Sequence, residues 1–293
     1  MFYTDGKLQY PVRVDAPNPT FANMLQQALG GVEGEIRVML QYLCQATSCR
    51  GPKKYRDLLL EVGTEEISHV QMVATAIALN LEGASNAAQE AAVAHNPIVG
   101  AIMGGMNPRH FLSAGLGALP VDASGVPFSA SHVYASGNLA ADMYSNVCAE
   151  ATGRVLATRL YESTDDTGMK DMLSFMIARD TMHQQQWLAV LEEMGGYEAN
   201  LPIPNSFPQG QENEKFSYAF ISTGINGAET PQGRFGNGPS LDGKGEFTTI
   251  KAAPLGGEPN LAPPMPQGHA QSQEMGTVSQ AAHKVTNGVR VHS

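Results

Sequence analysis

The stretch that decides the fold reads Thr64-Glu65-Glu66-Ile67-Ser68-His69, inside a run from residue 64 to 82 that contains no glycine or proline. In an α-helix, residues three positions apart lie on the same face. Glu66 and His69 can therefore bind one metal ion from adjacent turns. Such a pair is weak evidence by itself, because Glu-x-x-His arises often by chance on solvated faces. The rest of the chain has to supply the other ligands.

The helix around this stretch is predicted from residue 53 to about 81, because its apolar residues recur every three or four positions. Glu66 and His69 both fall on that apolar stripe, whereas Glu65 lies off it. A core histidine bonded to a backbone carbonyl is the ordinary interpretation of His69 alone. That interpretation weakens once other buried carboxylates share the same faces.

The preceding segment, residues 19 to about 49, shows the same periodicity and is predicted as one helix. Glu35 lies inside its apolar stripe, where a carboxylate is costly unless it is paired or binds a metal. Three glycines accompany it, at positions 30, 31 and 34. Each lowers helix propensity by about 1 kcal/mol relative to alanine. They also allow another backbone to approach closely beside Glu35.

The second half of the chain repeats this arrangement. Helices are predicted over residues 138–163, with Glu150 on the apolar stripe, and over residues 169–194, with Asp180 and His183. In each half a lone carboxylate precedes an acidic-x-x-His pair by about 30 residues. Residues 83–135 form the long connection between the halves, with a short helix near 87–94 and a loop at 121–127. The predicted fold is all-α, a four-helix bundle with one long crossover between its second and third helices.

Both ends of the chain differ from this bundle, which is assigned to residues 19–195. Residues 1–18 alternate apolar and polar side chains, which fits a short strand or an irregular strap along the surface. Residues 196–293 are rich in glycine and proline and lack sustained periodicity. We interpret this tail as an extended, mostly irregular arm that wraps its own bundle or a neighbouring subunit; a disordered tail is the alternative.

Five stripe residues are the candidate metal ligands: Glu35, Glu66, His69, Glu150 and His183. Three carboxylates and two imidazoles suit a pair of manganese or iron ions. Two further residues are placed beside the ligands. Asp180 is one methylene shorter than glutamate and is predicted to orient a ligand or accept a proton. Tyr42, seven residues after Glu35, either bonds a ligand carboxylate or fills the core.

Composition excludes several classes of function. The chain has 293 residues, a formal net charge of −10 and scattered lysines and arginines, so nucleic acid is not expected as a partner. No apolar run is long enough to span a bilayer, and the N-terminus lacks a secretory pattern. Three cysteines do not form a disulfide framework, which favours a reducing, cytoplasmic setting.

Residues 1–195 resemble the non-haem manganese catalases. The resemblance rests on Leu8-x-Tyr10-x-Val12, Gly30-Gly31-x-x-Gly34-Glu35, Thr64-Glu65-Glu66-x-x-His69, Glu150 on the third helix and Arg179-Asp180-x-x-His183-Gln184. It implies a ferritin-like four-helix bundle, a hexamer whose tails embrace neighbours, and two manganese ions per subunit. It also implies disproportionation of hydrogen peroxide to water and dioxygen, with the ions cycling between Mn(II)2 and Mn(III)2.

The resemblance also implies a role for each residue. Glu35 and His69 would bind one ion, Glu150 and His183 the other, and Glu66 would bridge the two. Asp180, where the family commonly has glutamate, would carry protons.

Some relatives hold calcium between subunits, for which Asp57 and Glu61 are the candidates here; a solvated acidic face is the other interpretation of that pair. Two other functions use the same bundle: a metal-storage or structural coat protein without turnover, and a di-iron oxidase.

Overall fold

Long helices dominate the computed structural model, which describes residues 5–82, 102, 105–224, 231–252 and 256–261. The α-helices are α1 (Pro19–Gly30), α2 (Glu35–Ser48), α3 (Lys53–Leu81), α4 (Pro108–Leu112), α5 (Leu139–Glu162), α6 (Thr167–Glu193), α7 (Gly196–Asn200) and α8 (Glu214–Ser217). Helix α2 packs on α3, and α5 packs on α6. The predicted bundle of four long helices is confirmed. No helix in these ranges is long and apolar enough to cross a membrane.

The single helix predicted over residues 19–49 is wrong, because the chain breaks between Gly30 and Glu35. A Cβ atom on Gly30 would lie only 2.5 Å from the carbonyl oxygen of Val121. The glycines therefore combine poor helix propensity with the close backbone approach expected there. As a result, Glu35 becomes the first residue of α2, where the positive end of the helix dipole favours a carboxylate.

Two apolar clusters fill the bundle. The first core cluster joins α1, the C-terminal half of α3 and the start of α6, as represented by Leu25, Met72 and Met172. The second core cluster joins α2, the N-terminal half of α3 and the end of α6, as represented by Tyr42 and Trp187. Between these clusters, the buried residues of α3 and α6 are polar. The candidate ligands therefore occupy a polar layer with apolar packing on both sides.

The connection between α3 and α5 is attached to α1. The buried amide of Gln26 donates to the carbonyl oxygens of Leu119 and Val121 at 2.6 and 2.9 Å, and it accepts from Leu119 N at 2.9 Å. The predicted loop at 121–127 is closed by a bridge between Val121 and Pro127, and a 3₁₀ turn follows at Ala130–His132. The short helix predicted near residues 87–94 lies outside the described ranges.

The described N-terminal arm, residues 5–18, is an irregular strap and not a strand. Its alternation nevertheless identified the inward side chains, because four of them pack on the first core cluster: Leu8, Tyr10, Val12 and Val14. At its far end, Asp15 accepts from the backbone nitrogen of Thr167, while Asp166 accepts from the backbone nitrogen of Asp15. Asp166 also caps α6 through Met169 N, so the arm is fastened to the beginning of that helix.

The described part of the tail is mostly irregular and carries three short strands: β1 (Ala219–Ser222), β2 (Gly238–Pro239) and β3 (Glu246–Lys251). The chain divides into two units at these strands. The first comprises residues up to Tyr218 together with Gly238–Phe247, and it contains all the helices named above. The second contains β1, which pairs in parallel with β3 from Thr248 to Lys251. The domain boundaries at 18 and 195 and the wrapping of a neighbour stay predictions.

Candidate metal centre

Glu66 lies at the middle of the polar layer, with one carboxylate oxygen facing each histidine. Its Oε2 atom is 2.7 Å from Nδ1 of His69, one helical turn along α3. Its Oε1 atom is 2.9 Å from Nδ1 of His183 on α6. The side chain is 1% exposed. Each oxygen of this carboxylate thus faces one of the two candidate ligand histidines.

Two ligand groups share this carboxylate. The first triad consists of Glu35, Glu66 and His69, and the second triad consists of Glu66, Glu150 and His183. In each triad the candidate ligand atoms lie within 4.8 Å of one another. The two imidazole rings are stacked, with centroids 5.8 Å apart. All five residues that the sequence singled out as ligands therefore meet in one place.

The two triads have unlike surroundings. In the second triad, the Glu150 side chain is 3% exposed, and its Oε1 accepts from the hydroxyl of Tyr42 and from Trp187 Nε1 at 3.5 Å. In the first triad, the Glu35 side chain is 13% exposed. The structure thus places Tyr42 against a ligand carboxylate, which was one of its two predicted roles, and also in the second core cluster, which was the other.

Asp180 lies beside the triads without belonging to either. It is 8% exposed, and a Cβ added to Gly153 of α5 would be 3.9 Å from its Oδ2 atom. Burial raises the pKa of Asp180 well above its ordinary value, and the negative charges of Glu35 and Glu150 add to that shift. This position agrees with an aspartate that stops short of the metal.

Glu65, which the periodicity placed off the stripe, contacts both halves of the centre. Arg179 donates to its two oxygens at 2.7 and 3.1 Å, and Gln9 donates to Oε1 at 2.8 Å. Its Oε2 atom is 3.1 Å from Nε2 of His183, while Oε1 is 3.7 Å from Nε2 of His69. A carboxylate behind a ligand histidine fixes the ring orientation and directs the other nitrogen toward the metal. Here one carboxylate faces both rings.

The sequence spacing of Glu65 could have identified it as a neighbour of the ligand histidines. Glu65 precedes His69 by four positions, and Arg179 precedes His183 by four positions, so each lies one turn from a ligand. The two residues also directly precede Glu66 and Asp180. A helix-by-helix search for apolar stripes misses them, because a half-buried ion pair between two helices lies at the edge of both stripes.

Burial sets the electrostatics of the site. It raises the pKa of Glu35 to about 7 and that of Glu150 to about 8. Burial also acts to raise the pKa of Glu66, but His69 and His183 outweigh it and hold that pKa at about 2. For His183, burial acts to lower the pKa, while Glu65 and Glu66 raise it to about 10. The group is a set of mutually dependent charges that needs added positive charge to ionise fully.

The residues fit a pair of divalent cations. Nδ1 of His183 is buried and lies 2.9 Å from Glu66 without the alignment of a hydrogen bond. A metal that displaces the proton of this imidazole would find Nδ1 without a competing hydrogen bond. Three carboxylates and two imidazoles form an oxygen and nitrogen donor set, which suits manganese or iron. Divalent ions would also neutralise carboxylates that are costly to bury.

A family model described as manganese containing catalase matches residues 1–285. The chain belongs to the manganese-containing catalase family. A manganese catalase from Bacillus subtilis is 45% identical over 269 residues, covering 92% of this chain and 97% of the relative. One from Lactiplantibacillus plantarum is 36% identical over 272 residues, covering 92% and 98%.

A solved structure supports the fold of this catalase-family chain. The manganese catalase KatB from Anabaena PCC7120 matches with a TM-score of 0.67 and 22% identity, covering 87% of this chain and 100% of that one. The similarity confirms the ferritin-like helical bundle.

The calcium candidates of this catalase-family chain lie together on the bundle surface. Asp57 and Glu61 line one groove between α3 and α6. Both oxygens of Asp57 already contact basic side chains, Oδ2 with Lys53 and Oδ1 with Arg56 at 3.1 Å. These ion pairs fit the solvated acidic face, and the calcium ion stays a prediction.

Proposed function

We propose that this protein is a catalase that disproportionates hydrogen peroxide to water and dioxygen at two manganese ions per chain. The observation that carries the proposal is the pair of triads that share the buried carboxylate of Glu66. Because the triads share Glu66, the residues would hold two ions side by side, where both could act on one substrate molecule. Membership of the manganese-containing catalase family supports manganese over iron, a choice that the donor set alone leaves open.

Five side chains would hold the metal. Glu35 and His69 would bind one ion, Glu150 and His183 the other, and Glu66 both. Bound manganese would supply two-electron redox chemistry by cycling between the Mn(II)2 and Mn(III)2 states. The chain's own contribution is rigid placement, because the ligands come from helices packed between two apolar clusters.

Protons must move in both halves of the reaction. One peroxide gains two electrons and two protons to form two waters, and a second loses two electrons and two protons as it leaves as dioxygen. We assign the transfer of these protons to Asp180, which is nearly buried beside the triads. Burial raises the pKa of Asp180 well above its ordinary value, which favours an aspartate that takes up a proton and returns it.

The surroundings of Glu150 suit a ligand that stays in place during turnover. The hydroxyl of Tyr42 and the indole of Trp187 both approach the same oxygen of this carboxylate. Hydrogen bonds to a ligand carboxylate fix its orientation, so we assign Tyr42 to positioning Glu150.

We also propose hydrogen peroxide as the substrate, a hexamer whose tails embrace neighbouring subunits, and a cytoplasmic location. The metal-storage or coat protein and the di-iron oxidase are the alternatives. Storage predicts manganese that accumulates without turnover. The oxidase predicts activity with iron and none with manganese.

The deciding experiment is dioxygen evolution from hydrogen peroxide by manganese-loaded protein, measured beside Glu66→Ala prepared identically. Glu162→Ala, which alters an exposed glutamate at the end of α5, is the matched control. We expect rapid dioxygen release by the parent and the control, and none by Glu66→Ala. Negligible release by all three, despite about two bound manganese ions per parent chain, would refute the catalase proposal.

A further inference from the structure

The N-terminal arm reaches the metal centre through one exposed side chain. Gln9 donates from Nε2 to Oε1 of Glu65 at 2.8 Å. The same oxygen accepts from Arg179 Nε at 2.7 Å. The other oxygen of Glu65 faces Arg179 Nη2 and His183 Nε2, each at 3.1 Å. A residue near the chain terminus thus completes the contacts of the carboxylate that lies behind the ligand histidines.

A second contact of the arm points to the same place. The ring of Tyr10 stacks on Phe175 at 4.4 Å, with 12° between the ring planes. Phe175 is in turn edge-on to the imidazole of His69, at 6.4 Å between centroids. The Tyr10 hydroxyl donates to Asp171 at 2.9 Å, which holds this stack in register on α6. Successive arm residues therefore contact the neighbours of both ligand histidines.

The arm cannot slide along the bundle, because its far end is fixed. Asp15 accepts from the backbone nitrogen and hydroxyl of Thr167, at 2.8 and 2.6 Å. Arg13 donates to the same hydroxyl at 3.0 Å. Only four residues lie between Tyr10, which stacks on Phe175, and Asp15, which binds Thr167, so anchors on α6 at both places set the position of Gln9. The side-chain amide of Gln9, which donates to Glu65, is therefore held at a defined position.

We propose that the arm is part of the metal centre and that Gln9 is a positioning residue for it. Gln9 and Arg179 hold Glu65 in the orientation in which it faces Nε2 of His183 and His69. That orientation directs the Nδ1 atoms toward Glu66, where the ions would lie. Docking of the arm and retention of manganese are then coupled. The inference rests on the proposed metal site and is independent of the reaction performed there.

The coupling follows from the freedom of a glutamate side chain. Glu65 is 20% exposed, so packing alone does not fix its carboxylate. Arg179 contacts both oxygens, yet the carboxylate can still rotate with the guanidinium as a unit. The third donor, Gln9, approaches from the arm and removes that freedom. Losing it leaves the histidines less restrained, which weakens metal binding; changes behind a metal ligand typically cost about 10- to 100-fold in affinity.

The test is the rate at which manganese-loaded protein loses manganese to excess EDTA, followed by atomic absorption of the protein fraction. We expect Gln9→Met to lose manganese about 10-fold faster than the parent, at the lower end of that range. Gln9→Glu, which places a like charge against Glu65, should lose it faster still. Gln9→Lys keeps a donor and should stay near the parent rate. Gln71→Met makes the same change at an exposed position of α3 and should have no effect.

This ranking of manganese-loss rates distinguishes a positioning role of Gln9 from general destabilisation of the protein. Gln9 is exposed, so all variants should unfold at the parent temperature when metal-free. The electron paramagnetic resonance spectrum of the Mn(II) pair should change in Gln9→Met and be restored in Gln9→Lys. Equal rates of manganese loss from Gln9→Met and the parent would overturn the inference. Loss from Gln9→Lys or Gln71→Met as fast as that from Gln9→Met would overturn it too. A parent that retains manganese without evolving dioxygen would refute the proposed function while leaving this comparison valid.

Discussion

The first and second triads use the same ligand types at nearly the same sequence spacing, yet the second is more enclosed than the first. Glu150 is 3% exposed and has Tyr42 and Trp187 against one oxygen. Glu35 begins a helix beside a glycine break and is 13% exposed. The open side of the centre is therefore the side where the chain is interrupted. The repeated sequence pattern therefore provides two similar sets of candidate ligands, but their carboxylates differ in exposure and in hydrogen-bond partners.

The histidines differ in the same sense. His183 faces Glu65 at hydrogen-bonding distance, whereas Nε2 of His69 is buried at 3.7 Å from that carboxylate, with no hydrogen-bond partner in the described ranges. The second triad is thus supported by more side chains than the first. We expect the ion of the first triad to be the one that exchanges and meets substrate. The predictions below test this difference.

The largest effect is expected from removing one ligand of either triad. Glu35→Ala and Glu150→Ala should each lower dioxygen evolution by about 1,000-fold or more, since even changes behind a ligand cost about 10- to 100-fold. Under the proposed mechanism, each half-reaction needs both ions, because each ion would exchange one electron. Each variant should retain about one manganese per chain by atomic absorption. Activity that persists in Glu35→Ala with one ion bound would show that the first triad is dispensable.

A smaller effect concerns the stability of the metal-free protein against pH. The pKa values of Glu35 and Glu150 are raised by burial to about 7 and 8, and that of His183 is raised to about 10 by Glu65 and Glu66 against the effect of burial. Between pH 6.5 and 8 the folded state therefore holds more protons than the unfolded chain. Its free energy of unfolding should fall as pH rises, by about 1.4 kcal/mol per pH unit for each extra proton.

Urea denaturation of the metal-free protein at several pH values measures this slope. Both Glu35→Gln and Glu150→Gln should reduce the dependence of the unfolding free energy on pH. The reduction should extend to higher pH in Glu150→Gln, because the pKa of Glu150 is the higher of the two. Loading with manganese should remove most of the dependence, since the ions compete with those protons. A metal-free protein that becomes more stable from pH 6.5 to 8 would contradict the burial of these carboxylates.

The smallest expected effect concerns the hydrogen bond that Tyr42 donates to Glu150. Tyr42→Phe removes the hydroxyl that donates to this carboxylate and should lower the free energy of unfolding by about 1–2 kcal/mol. Tyr144→Phe is the matched control, because the buried Tyr144 hydroxyl has no hydrogen-bond partner within the described structure. That change should be neutral or slightly stabilising. Equal losses in urea denaturation of the two variants would mean that the bond to Glu150 contributes nothing.

The residues of the two triads were predictable from the sequence because their signal is local. A glutamate or histidine inside an apolar stripe is costly to bury, and five such residues at repeated spacing leave few explanations besides metal. The same reasoning placed Asp180 beside the candidate ligands and offered a bond to a ligand carboxylate as one of two roles for Tyr42. Both positions depend only on helix periodicity and side-chain length.

Three features escaped this reasoning. The break at Gly30 depends on the backbone of Val121, more than 90 residues away, which no local pattern reports. Glu65 lies at the edge of its stripe and acquires its role from Arg179 on another helix. Gln9 is an exposed residue in an irregular arm, and only its contact with Glu65 distinguishes it from any other surface amide.

From the sequence alone came three of the long helices, the five residues that form the two triads and the family to which the chain belongs, because each depends on periodicity, spacing and motif along the chain. Only the folded structure shows which triad is more enclosed, that Glu65 faces both histidines, and that the N-terminal arm contacts Glu65. These are contacts between segments far apart in the chain. Their geometry follows from packing, and packing depends on shape in three dimensions, which a one-dimensional pattern does not contain.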